Sequence, residues 1–476
     1  MLHERKQRSE SILIGLLAAA CLISYAYFYQ GEGWSMTSHF ATIRSIVERR
    51  TFEISPFKDQ TGDISVVEGR VYSNKPPGLA LTGAVPYGLI SSVERAAGAD
   101  LSSHRVATAN QYILTLLLSG VPGVALVVML YFWFRTRAGV GVHSSLVLAA
   151  AFAFGSLVWP YSGMLFNHLF VAALVFGAWM LLTSEHQSSG RTSIAGLLLG
   201  MAALSEYLIG PLVLLFLAYE LVRRRNLVSA ALLCIGPAIA IAGLLVYHRI
   251  NFGHALTPSY AYDNPQFIQP DLPLGRFHSP VWSRLYWLTW HRYRGLFMNC
   301  PVLILPLLSL VAWARPSPSP CSRGEGRGEG SSSAEIVIPL LIIAFFTLFF
   351  LTYVSWAGGW GVGPRFFIPA MAFLYLFAAR GFERFPIISA LLIAVSVFNM
   401  LTVTSVKALF EGFDQGPALH YDPLGVCLLD FVHGELAKGP GSFNLGMLMG
   451  LRGLPSLLPL LGVWIIIGVL IWRVKV

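Results

Sequence analysis

Charge is what this sequence has least of. Of its 476 residues only 12% are Asp, Glu, Lys or Arg, while 55% are hydrophobic. A soluble domain carries about 25% charged residues. The shortage excludes an ordinary soluble chain and defines a polytopic membrane protein. Cysteine is sparse too. The five present (Cys21, Cys234, Cys300, Cys321 and Cys427) form no CxxC pair, and three lie in or beside apolar runs. Neither a zinc site nor a disulfide framework is indicated, and neither a metal nor a cofactor is expected. The formal net charge of +9 is scattered among short loops. That distribution suits membrane orientation and anionic headgroups, not nucleic acid. An internal repeat is missing as well. Residues 1–240 and 241–476 show no convincing likeness, which weighs against a transporter built from two related halves.

What is present is a series of apolar runs long enough to cross a bilayer, which takes roughly 17–25 residues. The first is 11–29. Later ones fall near 106–134, 144–160, 164–183, 193–208, 209–222, 228–247, 298–314, 336–355, 365–379, 386–403 and 453–472. The expected fold is all-α and polytopic, with about twelve transmembrane helices and juxtamembrane helices on the outer face. The basic His3 to Arg8 ahead of an apolar run resembles a signal peptide, and Leu17-Ala18-Ala19-Ala20-Cys21 resembles a lipoprotein cleavage site. The residues after Cys21 stay apolar, so an uncleaved first span is the expectation. Ser205-Glu206-Tyr207 marks a tight turn between two short helices.

Orientation follows from the connectors. Arg135 with Arg137, Arg223-Arg224-Arg225, Arg315, Arg380 with Arg384, and Arg473 with Lys475 fall on the side of Arg5, Lys6 and Arg8. The positive-inside rule then puts both termini in the cytoplasm and 30–105, 248–297 and 404–452 outside. An integral protein of the bacterial inner membrane is expected, with its site facing the periplasm. The low-complexity stretch 315–334 reads as a disordered cytoplasmic connector. It divides an N-terminal transmembrane region, 1–314, from a C-terminal one, 335–476.

One stretch stands out: Gly69-Arg70-Val71-Tyr72-Ser73-Asn74-Lys75-Pro76-Pro77-Gly78-Leu79-Ala80. Proline holds the residue before it extended, and Pro77 suits a first helical turn. A helix over 77–92 would set free N–H groups near the Lys75 ammonium, an arrangement that suits phosphate. The alternative is a lysine snorkelling at the interface. Ahead of it, Met36 to Arg50 can form a surface helix with Met36, Phe40, Ile43, Ile46 and Val47 on one face. Further on, Arg365 follows Gly363-Pro364 at a helix start, as either a phosphate ligand or an interfacial anchor. Trp356 and Trp360 beside it suit sugar stacking or an aromatic belt.

These two stretches, with His39-Phe40-Ala41-Thr42-Ile43-Arg44, resemble the GT-C class of membrane glycosyltransferases. The likeness is to the bacterial branch of lipid A aminoarabinose transferase and protein O-mannosyltransferases. It includes Trp356-Ala357-Gly358-Gly359-Trp360-Gly361-Val362-Gly363-Pro364-Arg365-Phe366-Phe367-Ile368-Pro369-Ala370. The resemblance implies a polyprenyl-phosphate-linked sugar donor, an outer-face site, inversion and no metal. Its partners would be that donor, membrane lipids, and a glycan, lipid or protein acceptor. Lys75 would hold the donor phosphate with Arg365, and Tyr72, Asn74, Trp356 and Trp360 would contact substrate. The chain departs from the class at one place: Met36 stands where such enzymes usually carry an acid.

Transfer from a polyprenyl monophosphate needs charge stabilisation on the departing phosphate and a base for the acceptor hydroxyl. The candidate bases are Asp63, Glu32 and His168. Asp63 precedes the strand-like Ile64-Ser65-Val66-Val67, and the chain from it to Lys75 can fold back so that both face one cavity. His168 sits at the turn Phe166-Asn167-His168-Leu169 and is equally a hydrogen-bonded structural histidine. Glu206 is either a functional acid at membrane depth or a solvated cap. Tyr260, Tyr262, Asp263, Trp282, Trp287, Trp290, Asp422 and Asp430 are candidate acceptor contacts. Two other function classes remain: a flippase for a lipid-linked saccharide, and a non-catalytic binder of polyprenyl lipid.

Overall fold

The structure is a computed structural model that describes residues 2–186, 188–268, 271–272, 276–314, 333–410, 422–439 and 441–474. The connector 315–332 and the basic residues Arg315 and Lys475 lie outside the described residues.

The described residues are mostly helical, and several of the helices are strongly apolar. Among the described residues six helices are long and apolar enough to cross a membrane: Lys6–Tyr27, His104–Arg137, Leu227–Phe252, Glu335–Thr352, Pro386–Val406 and Leu454–Arg473. A seventh arises if Arg365–Tyr375 and Ala378–Arg384, bent by 61°, count as one span. The expected twelve are therefore not reproduced by helices of spanning length. Several expected spans are shorter because local sequence breaks them. The run 144–160 stops at Gly155, Ser156 is extended, and a five-residue helix Val158–Ser162 follows. The run 193–222 breaks at Glu206, whose carboxylate accepts from the Leu208 N–H across the turn.

Helices pack closely where glycine removes the side chain. Ser189–Ser205 crosses Leu227–Phe252 at Gly196, Gly200 and Gly236, and a Cβ at any of the three would collide with the facing backbone. Small residues are how helices approach in an apolar solvent, where burial alone gives little drive. One apolar core runs through the molecule and includes Leu13, Phe152, Phe373 and Leu460.

The two chain-end helices lie side by side. The Trp464 indole donates to Ser24 Oγ, and Phe28–Tyr29 pairs antiparallel with Phe443–Asn444 just beyond. Both ends of the chain thus point the same way. At that end Arg135 meets Glu10 at 3.2 Å, and Arg137 meets Glu335 at 2.7 Å and the Thr183 carbonyl. The grouping of these connectors with the N-terminus matches the sequence expectation. The opposite end holds the helix Trp34–Arg49 and the hairpin of Ile64–Val67 with Arg70–Ser73.

Candidate functional site

The hairpin decides what Lys75 meets. Its turn is Glu68-Gly69, both at positive φ (49° and 78°), the pattern of a tight two-residue turn. Pairing begins at Ile64 with Ser73. The next residues outward, Asp63 and Asn74, therefore come together, with Lys75 beside them. Asp63 Oδ2 lies 2.9 Å from Lys75 Nζ. The hairpin is pinned to the surface helix by Ser38 Oγ, which donates to the Asp63 carbonyl at 2.8 Å. Thr61 Oγ1 adds a bond to the Trp34 carbonyl at 2.7 Å.

Asp63, Asn74, Lys75, Asp263, Arg276 and Arg365 line a single cavity of about 660 Å³. Its walls also carry Trp34, Tyr260, Tyr293, Tyr353, Trp356 and Trp360. Three cations face two carboxylates. Arg276 is paired with Asp263, whose other oxygen accepts from Asn74 Nδ2 at 2.8 Å. Asp263 is thus fully committed to holding Asn74 and Arg276 at the wall. Arg365 has no anionic partner among the described residues. Its guanidinium lies over the Phe166 and Phe366 rings at 4.9 and 5.2 Å, and its Nε has no hydrogen-bond partner. An anion entering the cavity would meet Arg365 as the unmatched charge.

Burial pushes the Asp63 carboxyl up, but the Lys75 ammonium outweighs it, with help from Arg365, and holds the carboxyl below its ordinary range. Its second oxygen has no partner among the described residues. Burial, with Lys75 and Arg365 nearby, lowers His39 to about 3, so this imidazole is neutral and adds no cation.

The structure separates the other candidates. Glu32 does not join Lys75. It sits at φ 60° with its side chain 47% exposed, 3.9 Å from His104, and lines a second cavity of about 420 Å³ with Arg44 and Gln111. His168 is buried behind the cavity wall, stacked on Phe166 and edge-on to Phe366, so it is placed to pack and not to reach an acceptor. Tyr72 is a correction: it points away from the cavity, into Phe252, because the end of Leu227–Phe252 covers that face of the hairpin. Tyr262 stacks on Phe252, and Trp282 is exposed. Asp422 caps the helix Pro423–Val432 and Asp430 binds Lys438, both outside the cavity. Trp356, Trp360, Asn74, Tyr260 and Asp263 do line it. Glu206 accepts from Asn167 Nδ2 at 3.0 Å and closes its own turn.

The expected helix N-terminus beside Lys75 is also corrected. The helix runs Gly78–Ala96, and Gly78 butts against Leu204 and Ser205, where no Cβ would fit. Its first turn faces protein, not the cavity. Two basic residues were missed. Arg276 and Arg294 come from the long segment 248–297, and their only sequence signal is an arginine in a region otherwise read as acceptor-binding. Among the described residues no three His, Cys, Asp or Glu side chains gather in a metal-holding group.

The fold and site thus define a polytopic helical membrane protein with a charged, aromatic-walled cavity at one end of its helices. Neither a protein-family model nor a curated protein matches the sequence. Among solved structures the chain is similar to ArnT from Cupriavidus metallidurans bound to undecaprenyl phosphate, at 12% identity and a TM-score of 0.47. That match covers 83% of this chain and 63% of the ArnT chain. The chain is also similar to the oligosaccharyltransferase of Archaeoglobus fulgidus tethered to an acceptor peptide, at 14% identity and a TM-score of 0.43, over 88% of this chain and 53% of that one. The chain spans less than two thirds of the length of either, and the likeness assigns no residue a role.

Proposed function

We propose that the chain is an integral-membrane glycosyltransferase that moves a sugar from a polyprenyl-phosphate donor to an acceptor. The observation that carries this reading is the convergence of Lys75 and Arg365, from opposite halves of the chain, on one aromatic-walled cavity where Asp63 pairs with Lys75. A departing phosphate gathers negative charge, and fixed cations in a partly dehydrated site stabilise it. Arg365 is unmatched and binds the phosphate first. Lys75 is shared: phosphate competes with Asp63 for its ammonium. Once the ion pair is loosened, the Asp63 carboxylate regains basicity and takes the acceptor proton. Trp34 and Trp360, with ring centroids 4.9 Å apart, offer flat faces to a sugar. In this reading Lys75 and Arg365 supply the positive charge that stabilises the leaving phosphate, and attack opposite the phosphate inverts the anomeric carbon. Basic connectors at the far end of the helices support, under the positive-inside rule, a reading with both termini in the cytoplasm and the cavity on the periplasmic side of an inner membrane.

Met36 favours a second reading. It is fully buried against Gly33, in the slot where the resembling class carries an acid. A chain without that acid suits a non-catalytic polyprenyl-lipid binder. A transfer assay separates the two: membranes holding the wild-type chain are given labelled polyprenyl-phosphate sugars. Label appearing on an acceptor, and lost in Asp63→Asn, supports the enzyme. Tight donor binding with no transfer to any acceptor fraction would leave the binder.

A further inference from the structure

The glycine segment before Arg365 is held from behind by a buried arginine. Arg294 is 2% exposed and does not line the cavity. Its Nη1 donates to the carbonyls of Gly361 and Gly363, the latter at 3.2 Å. Its Nη2 donates to the Gly359 carbonyl and to Tyr293 Oη at 2.9 Å. No carboxylate is among these partners. Tyr161 Oη donates to the Val362 carbonyl at 2.9 Å. Four carbonyls in a stretch of five residues are thus turned onto two side chains behind the segment. A planar fork with several donors suits such a task, and a lysine ammonium does not match it.

Turning carbonyls one way turns N–H groups the other. In a trans peptide the C=O and the next residue's N–H point in opposite directions. The Gly359 carbonyl faces Arg294, so the Trp360 N–H faces away from it. Gly359 and Trp360 line the cavity, and this N–H has no partner among the described residues. The same wall carries two further unmatched donors, Trp360 Nε1 and Arg365 Nε. Gly358, at φ 70°, lets Arg365 lie close: a Cβ there would meet Arg365 Cγ and Nε at 3.2 Å. A backbone N–H turned outward beside a guanidinium gives an anion two converging donors.

We propose that Arg294 is a positioning residue, which turns the segment 359–363 so that the Trp360 N–H and the Arg365 guanidinium converge on one phosphate oxygen. The inference rests on the reading of this cavity as a phosphate site. The phosphate can belong to a polyprenyl lipid or be free in solution, and the donors recognise either.

The test uses the purified full-length chain in detergent micelles. Three probes are titrated: farnesyl phosphate, farnesol and inorganic phosphate. Wild type is expected to prefer farnesyl phosphate over farnesol. Arg294→Lys keeps a buried cation but cannot bridge the carbonyls. It should weaken farnesyl phosphate by at least about tenfold, the scale of a lost hydrogen bond to a charged group, while farnesol binding stays. Tyr161→Phe releases one carbonyl and should shift the same preference less, which keeps the idea testable if Arg294→Lys fails to fold. Inorganic phosphate competing as well as farnesyl phosphate in wild type, and not in Arg294→Lys, supports the cradle with the free ion as its ligand. An unchanged preference in folded Arg294→Lys, or an equal loss for phosphate and alcohol, overturns the positioning role and leaves the cavity reading intact. A wild type that binds farnesol as tightly as farnesyl phosphate overturns the cavity reading, and the inference with it.

Discussion

Asp63 and Lys75 share one ion pair, and that pairing sets what each substitution does. On the proposed reading, removing the lysine takes away a phosphate ligand, and it leaves a carboxylate unpaired in the cavity. Lys75→Ala should therefore cost donor binding about 2 kcal/mol, on the order of thirtyfold in affinity. Asp63→Asn removes the competitor, so donor binding should persist while transfer falls by about 10²-fold. The double variant should bind better than Lys75→Ala alone, because the unpaired carboxylate is gone. Titrating donor against all three proteins checks this, and wild-type affinity in Lys75→Ala would reduce the lysine to an interfacial anchor. The pair also carries an acid sensitivity. Lys75 holds the Asp63 carboxyl below its ordinary range, so the carboxylate stabilises the fold at any pH above about 4, the value of an unfolded aspartate. That contribution is lost as pH falls through the lower folded value. Melting temperatures measured from pH 7 down to acid should drop in wild type and drop less in Asp63→Asn; parallel curves would remove the ion pair from the account.

At the scale of elements, the sequence showed the hairpin better than its surroundings. Ile64-Ser65-Val66-Val67 reads as a strand, and folding back across Glu68-Gly69 brings Asp63 to Lys75. That juxtaposition was legible because it is local. Tyr72 was misread because the element covering it, the end of Leu227–Phe252, is remote in sequence. Arg276 and Arg294 were missed for the same reason: no local pattern tells an inward arginine from an interfacial one. The turn at Glu206 was legible, but the break at Ser156 was not, since an unbroken apolar run hides a two-residue interruption. The glycine contact between Ser189–Ser205 and Leu227–Phe252 was also invisible, because it depends on which faces meet. Gly200→Leu should force those helices apart and destabilise the protein by roughly 1–3 kcal/mol, with Gly200→Ala between it and wild type. Thermal unfolding in detergent reads the ranking, and a Gly200→Leu protein as stable as wild type would mean that the helices do not meet there.

For the whole molecule, the question is which end faces out. The first and last helices run together, their free ends share a side with Arg135, Arg137 and their partners, and the cavity lies at the other end. Charge in short connectors orients a chain more reliably than charge in long loops, which translocate largely regardless of it. The basic end should therefore stay in the cytoplasm. Two exposed positions report on the two ends: Glu68 in the hairpin turn, and His186 in the connector just beyond Thr183. Single cysteines at each, in a chain whose five native cysteines are replaced, can be challenged with a membrane-impermeant thiol reagent. In intact spheroplasts Glu68→Cys should label and His186→Cys should not, with both labelling after lysis. The opposite pattern would turn the cavity toward the cytoplasm. The donor sugar would then have to be presented on the inner leaflet, so the outer-face transfer reaction would have to be given up even if Lys75 and Arg365 bind phosphate as proposed.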